Sequence, residues 1–194
     1  MFGTRRRFLA ALGTTYASTF AGCSFSTLSG VSNYPIGESI ERNGVRVTFN
    51  KYITSGNAIA VISGGINPRK ETHIAPTGAE YIFAHFTVEH VGEQRRNLPN
   101  RGMNPPTNQS FKPDYKGESL ERPQLDVISD GFELNGEEMA KYASSYYGEN
   151  LDGRVYDGKA SGWLANTISA DFEPSDATYD VSYGDGTTTW KFTS

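Results

Sequence analysis

Three histidines, one cysteine and 22 acidic residues are the raw material for chemistry in this sequence. A blue-copper centre needs a thiolate, two imidazoles and a weak axial methionine. The cysteine, Cys23, stands far from His73, His85 and His90, so that chemistry is excluded. His85 and His90 are an odd offset apart, which puts them on opposite faces of a strand and argues against a shared zinc ion. Hard cations want clustered oxygen ligands, and Asp152 and Asp157 are the calcium candidates. Their spacing is not that of an EF-hand, and Asp152-Gly153 and Asp157-Gly158 read more simply as turns. No cofactor is expected. Nucleophile elbows, P-loops, dinucleotide fingerprints and His-Glu-x-x-His are absent. The residue types of a Ser-His-Asp triad exist without a spacing that joins them. Glu133, Glu137, Glu138 and Asp171 could supply paired carboxylates for glycoside hydrolysis, but sequence distance does not fix their separation. The expectation is therefore a binding or interaction module, not an enzyme. The alternatives are a surface-polymer hydrolase using those carboxylates and a purely structural envelope component. Tyr142, Tyr146 and Tyr147 are the candidate aromatic patch for a surface protein or glycan, although such tyrosines also commonly cover a core edge.

Cys23 has a better explanation in its position. Residues 1–22 run from a basic start through a weakly apolar middle to small residues, the three parts of an export signal. Phe8 to Phe20, interrupted by Gly and Thr, is too short and polar for a bilayer core of ~20 apolar residues. Thr4-Arg5-Arg6-Arg7-Phe8-Leu9 resembles the twin-arginine signal, with Arg5 and Arg6 for the translocase and Phe8 and Leu9 as its apolar contact. The segment ends Phe20-Ala21-Gly22-Cys23, similar to a lipobox. A lone cysteine cannot close an intramolecular disulfide, and lipidation with diacylglycerol explains both its number and its place. Cleavage after Ala21 is the alternative. Serine-rich residues 24–33 then form a tether, the domain being expected over 36–194 at the extracytoplasmic face of the membrane. The pairing of these two motifs resembles surface lipoproteins of salt-loving archaea, and 11 arginines against seven lysines lean the same way.

Elements that could position side chains are strands. Aromatic residues at 12% and 21 glycines describe a turn-rich chain that folds. Eighteen basic residues oppose 22 acidic ones, and the first 22 residues contribute three arginines and no acid. The remainder is acidic, so a nucleic-acid partner is not expected. Val45, Val47 and Phe49 alternate with polar residues after Asn43-Gly44, a hairpin pair. Ile82, Ala84, Phe86 and Val88 point one way in a central strand, Tyr81 to Val91. Further strands are expected at Gln124 to Leu134, Trp163 to Phe172, Ala177 to Tyr183 and Thr187 to Phe192, with a short helix near Glu137 to Tyr147. Ile66 to Glu80 reads as a solvated crossover, and Asn97 to Ser119 as one long Pro/Asn-rich loop. That loop carries the Asn108-Gln109-Ser110 sequon, a glycosylation candidate at Asn108. Together with the tyrosine segment it is the expected partner surface. The sum is an all-β, antiparallel immunoglobulin-like sandwich of seven to nine strands.

Val45 to Phe49 after a glycine, the long strand ending His90-Val91-Gly92, Gly162-Trp163-Leu164, Phe172-Glu173-Pro174 and the closing Trp190-Lys191-Phe192 resemble an extracellular immunoglobulin-like, telokin-like lipoprotein domain of unknown function. The resemblance spans Ile36 to Phe192. It implies a surface binding or shielding module and assigns no catalytic residue.

Overall fold

The computed structural model describes residues 33–63, 67–92, 98–99, 110–142, 158–183 and 186–193. Arg5, Arg6, Phe8, Leu9, Cys23, Asn108, Tyr146, Tyr147, Asp152 and Asp157 lie outside the described residues. Thirteen strands run through the described part: β1 (Asn33–Tyr34), β2 (Ser39–Arg42), β3 (Val45–Ser55), β4 (Asn57–Ile62), β5 (Arg69–Ile74), β6 (Ala79–His90), β7 (Phe111–Tyr115), β8 (Glu118–Ser119), β9 (Gly131–Leu134), β10 (Glu137–Ala140), β11 (Lys159–Ser169), β12 (Ala177–Tyr183) and β13 (Gly186–Lys191), with α1 at Gln124–Ile128.

Turn chemistry sets three of the pairings. Asn43-Gly44, Lys116-Gly117 and Asn135-Gly136 all take positive φ at both positions, the geometry whose twist matches paired strands. They close the β2–β3, β7–β8 and β9–β10 hairpins. The strands assemble into three sheets, β1-β13-β12-β7-β8, β11-β6-β3-β2 and β10-β9-β4-β5. Among the described strand pairs only β1 with β13 is parallel.

The β11-β6-β3-β2 sheet is the middle layer. Ile82, Ala84, Phe86 and Val88 of β6 enter a core shared with Phe111, Tyr179, Trp190 and Phe192 from the first sheet. Aromatic rings fill it: Phe49 and Phe86 stack with centroids 4.7 Å apart, and Phe86 and Tyr179 meet edge to face at 4.8 Å. Tyr81 and Phe83, on the other side of β6, enter a second core with Ala58, Ala60, Leu125, Phe132 and Met139 under the third sheet. The sandwich expectation holds, and the strands beyond nine come largely from this third sheet.

Several local expectations are corrected. Glu137–Ala140 is a strand, not helix, because Asn135-Gly136 folds it back on β9 and buries Met139. Gln124–Ile128 is helical where a strand was expected, and only Gly131–Leu134 extends. Here the Asp126 side chain draws in Arg122 one turn earlier and the amide of Ala165, so tertiary contacts override the β-rich composition. The supposed crossover contains β5, an edge strand whose Arg69 and Lys70 suit an exposed sheet margin. The supposed long loop contains β7 and β8, since Phe111 and Tyr115 have apolar cover from the first core. Leu98 is buried in the same core.

Candidate functional site

Cross-strand register arranges the outer face of the middle sheet in rows. Glu41, Arg46, Glu89 and Lys159 stand directly opposite one another across four strands, alternating in charge. Arg46 lies 3.2 Å from Glu41 and 3.6 Å from Glu89, and Lys159 lies 2.8 Å from Glu89. The Lys159 hydrogen bond, with the Arg46 charge beside it, holds the Glu89 carboxyl below the usual range. Hydroxyls fill the next row, Ser39, Thr48, Thr87 and Ser161. Then come Lys51, His85 and Trp163, and after them Ile53, Phe83 and Ala165 at the second core. The face therefore grades from paired charges through hydroxyls to apolar residues beneath the third sheet.

A β-bulge makes the third row unusual. Pairing of β3 with β6 slips between Phe49 and Lys51, so Asn50 and Lys51 both face outward instead of alternating. Asn50 Nδ2 lies 3.0 Å from Thr87 Oγ1 and 3.4 Å from the His85 carbonyl. A carbonyl only accepts, so the amide nitrogen faces this way and donates also to His85 Nδ1 at 3.0 Å. The ring proton is then on Nε2, which donates to Ser161 Oγ at 3.2 Å, and Ser161 meets Thr87 Oγ1 at 3.2 Å. Lys51 Nζ sits 5.3 Å from the centre of the Trp163 ring, and that ring lies 4.9 Å from His85.

Ser161, His85 and Asn50 are the residue types of a nucleophile, a base and its orienter, with the hydrogen bonds running the wrong way. A hydrolytic triad has Nε2 accepting from the hydroxyl and Nδ1 donating to an oxygen. What the cluster does provide is a rigid polar surface with a cation at its margin. Burial, and secondarily the Lys51 charge, push the His85 imidazole below its ordinary value near 6.5. The folded protein thus favours neutral His85, and the unfolded chain takes up the proton first as pH falls. The His85 share of stability is complete above about pH 6.5 and is lost as pH falls through the lower folded value. Thermal midpoints between pH 7.5 and 5 should show this loss, and His85→Gln should flatten that part of the curve.

A second polar cluster is sealed. Asp126 is fully buried, accepting from Arg122 Nε and from the Ala165 amide at 3.2 Å. Buried Lys141 donates to the carbonyls of Asp126 and of Ser129, the latter at 2.8 Å. These groups brace α1 against β11 and the third sheet.

The predicted sites fare unevenly. Tyr142 is a correction: it is 1% exposed, its hydroxyl donates to the Pro99 carbonyl at 2.9 Å and its ring packs on Phe111. It belongs to the first core, drawn there because the chain turns around the β11 edge after β10, and is no exposed partner patch. Glu133 and Glu138 are direct cross-strand neighbours, and Lys70 lies 2.5 Å from Glu133. His85 and His90 alternate onto opposite faces of β6. Asn50, Lys51 and Ser161 were not anticipated, although a signal existed. The period-two run Val45, Val47, Phe49 breaks parity before Tyr52, the mark of one inserted residue.

No protein-family model and no curated protein matches this sequence. Solved structures do. An uncharacterized beta-sandwich protein from Clostridium difficile 630 is similar at 14% identity, over 86% of this chain and 99% of that one, with a TM-score of 0.39. The yjhA protein of Bacillus subtilis is similar at 15% identity over 81% and 98%, with a TM-score of 0.45. The fold is an all-β sandwich. The "putative lipoprotein" ycdA of Bacillus subtilis strain 168 is similar at 10% identity over 79% of this chain, with a TM-score of 0.39, and the match spans 37% of its own length. Among the described residues no helix is long and apolar enough to cross a membrane.

Proposed function

We propose that this chain is an extracytoplasmic lipoprotein, exported through Arg5 and Arg6 and held at the membrane by lipidated Cys23, whose immunoglobulin-like sandwich binds a surface molecule through the outer face of its middle sheet. The observation that carries the binding role is the bulge that sets Asn50 and Lys51 side by side against His85, Thr87 and Ser161. Bulges re-aim side chains and are enriched beside functional sites, and hydroxyls, amides and a cation are recognition groups. Export and anchoring rest on the solitary cysteine behind Ala21-Gly22 and on the Thr4 to Leu9 motif.

Intact mass and membrane fractionation of the native protein beside Cys23→Ser test the anchor. A mature chain beginning at Cys23 with added lipid, and a soluble variant, are expected. A lipid-free soluble native protein would defeat it. For binding, an array of surface glycans and envelope proteins is probed with wild type and with the double variant His85→Val, Ser161→Val. Equal binding by both would move the site elsewhere. Turnover of an ester panel, abolished by Ser161→Ala, would favour a hydrolase instead.

A further inference from the structure

We propose that the Asn50–Lys51 bulge, His85 and Ser161 form a site for an oxyanion, the carboxylate or phosphate group of an acidic surface polymer. This rests on the binding reading above and gives it a ligand class. Three observations point there. First, the bulge places an ammonium and an amide next to one another at a single imidazole, an arrangement that regular alternation forbids. Second, the cations of the neighbouring row, Arg46 and Lys159, are both tied to carboxylates. Lys51 is exposed, rests over Trp163 and has no carboxylate partner among the described residues. Third, the Thr87 hydroxyl, which meets Ser161 at 3.2 Å, belongs to the same network and can turn to donate to an acceptor. Charge-assisted hydrogen bonds of this kind are the strong ones.

An anion here meets one fixed positive charge, and a second once His85 takes a proton at Nδ1, which displaces the Asn50 amide from that nitrogen and frees its N–H for the anion. Without an anion, burial and Lys51 keep the imidazole neutral. An anion beside Lys51 offsets that charge and draws a proton onto His85, so occupancy and protonation strengthen each other reciprocally. The remaining charges near His85 do not compete. Arg46, Glu89 and Lys159 stand two rows away and neutralise one another with Glu41. Lys141, bridged to Trp163, turns its ammonium to the carbonyls of Asp126 and Ser129.

NMR titration of the His85 ring protons in the full chain, with and without glucuronate or inorganic phosphate, reads both halves of this coupling. Glucuronate keeps its charge between pH 5.5 and 7.5. Its binding should tighten by about ten-fold at the lower pH, and it should raise the His85 midpoint. Lys51→Met should weaken binding by about ten-fold or more, and His85→Gln should abolish the pH dependence. Near-UV circular dichroism matching wild type confirms that both variants are folded. A preference for phosphate over glucuronate would assign a phosphorylated polymer, and the reverse an acidic glycan. A His85 midpoint unmoved by either probe, or equal binding by Lys51→Met, would overturn the oxyanion site. Array binding that survives Lys51→Met yet is lost in the His85/Ser161 double variant would sink this inference while sparing the binding role.

Discussion

Gly162→Ala is expected to destabilise the protein by ~3 kcal/mol or more, a fall of roughly 6–12 °C in thermal midpoint. A Cβ at Gly162 would lie 2.7 Å from the carbonyl carbon of Lys141, and closer still to the backbone N and Cα of Tyr142. These are backbone atoms and cannot rotate aside. The segment they belong to is the crossing point of the molecule: Met139 sits in the second core and Tyr142 in the first, so the chain passes from one apolar layer to the other around the edge of β11. Lys141 bridges Trp163 on that edge. Only a residue without a side chain leaves room for the passage. Calorimetry of Gly162→Ala beside Gly162→Ser gives the result, and a midpoint within about 2 °C of wild type would show that the segment moves freely.

Asp126→Ala is expected to cost roughly 3–5 kcal/mol, because it removes a fully buried carboxylate that both the buried Arg122 guanidinium and the Ala165 amide bond. The large figure is the penalty of breaking the pair. Replacing charges by well-packed apolar residues is often neutral, so Arg122→Met with Asp126→Leu should recover much of the loss. The two tryptophans of the chain report separately on where the damage falls. Trp163 lies in the second core and Trp190 in the first. In single-tryptophan backgrounds, Asp126→Ala should loosen the surroundings of Trp163 at lower denaturant than those of Trp190. Coincident transitions would show that the third sheet and the principal sandwich unfold as one unit.

The strands that form the first core were legible because each shows its environment in its own residues. Val45, Val47 and Phe49, and Ala177, Tyr179 and Val181, alternate with polar neighbours, and a strand with one wet face records that fact at period two. Asn43-Gly44 was legible for a similar reason, since few pairs accept positive φ at both positions. β6 was legible as a strand but not as a divider. Its residues Tyr81 to Phe86 are apolar on both faces except at His85, and sequence cannot say whether the second face meets solvent, a ligand or another sheet.

Failures cluster where the answer lies in distant contacts. α1 is helical through Asp126 and its partners Arg122 and Ala165, the last 39 positions away. β10 is extended because a two-residue turn folds it on β9, although its Glu and Met favour helix. Tyr142 read from its neighbours in sequence either as part of an aromatic patch or as cover for a core edge, and it is fully buried because the chain rounds β11 into the first core.

The candidate site divides along the same line. Sequence by itself determined an all-β chain with an export-like N-terminus, a solitary Cys23 and no linear catalytic motif, since each of these is written in adjacent residues. Only the tertiary structure decided that Asn50 meets His85 and Thr87, and that His85 meets Ser161, 76 positions further along the chain. A polar face is assembled from single residues of several strands, and one inserted residue in β3 turns two of them to the same side. Register between strands, fixed by the summed packing of two cores, carries that information.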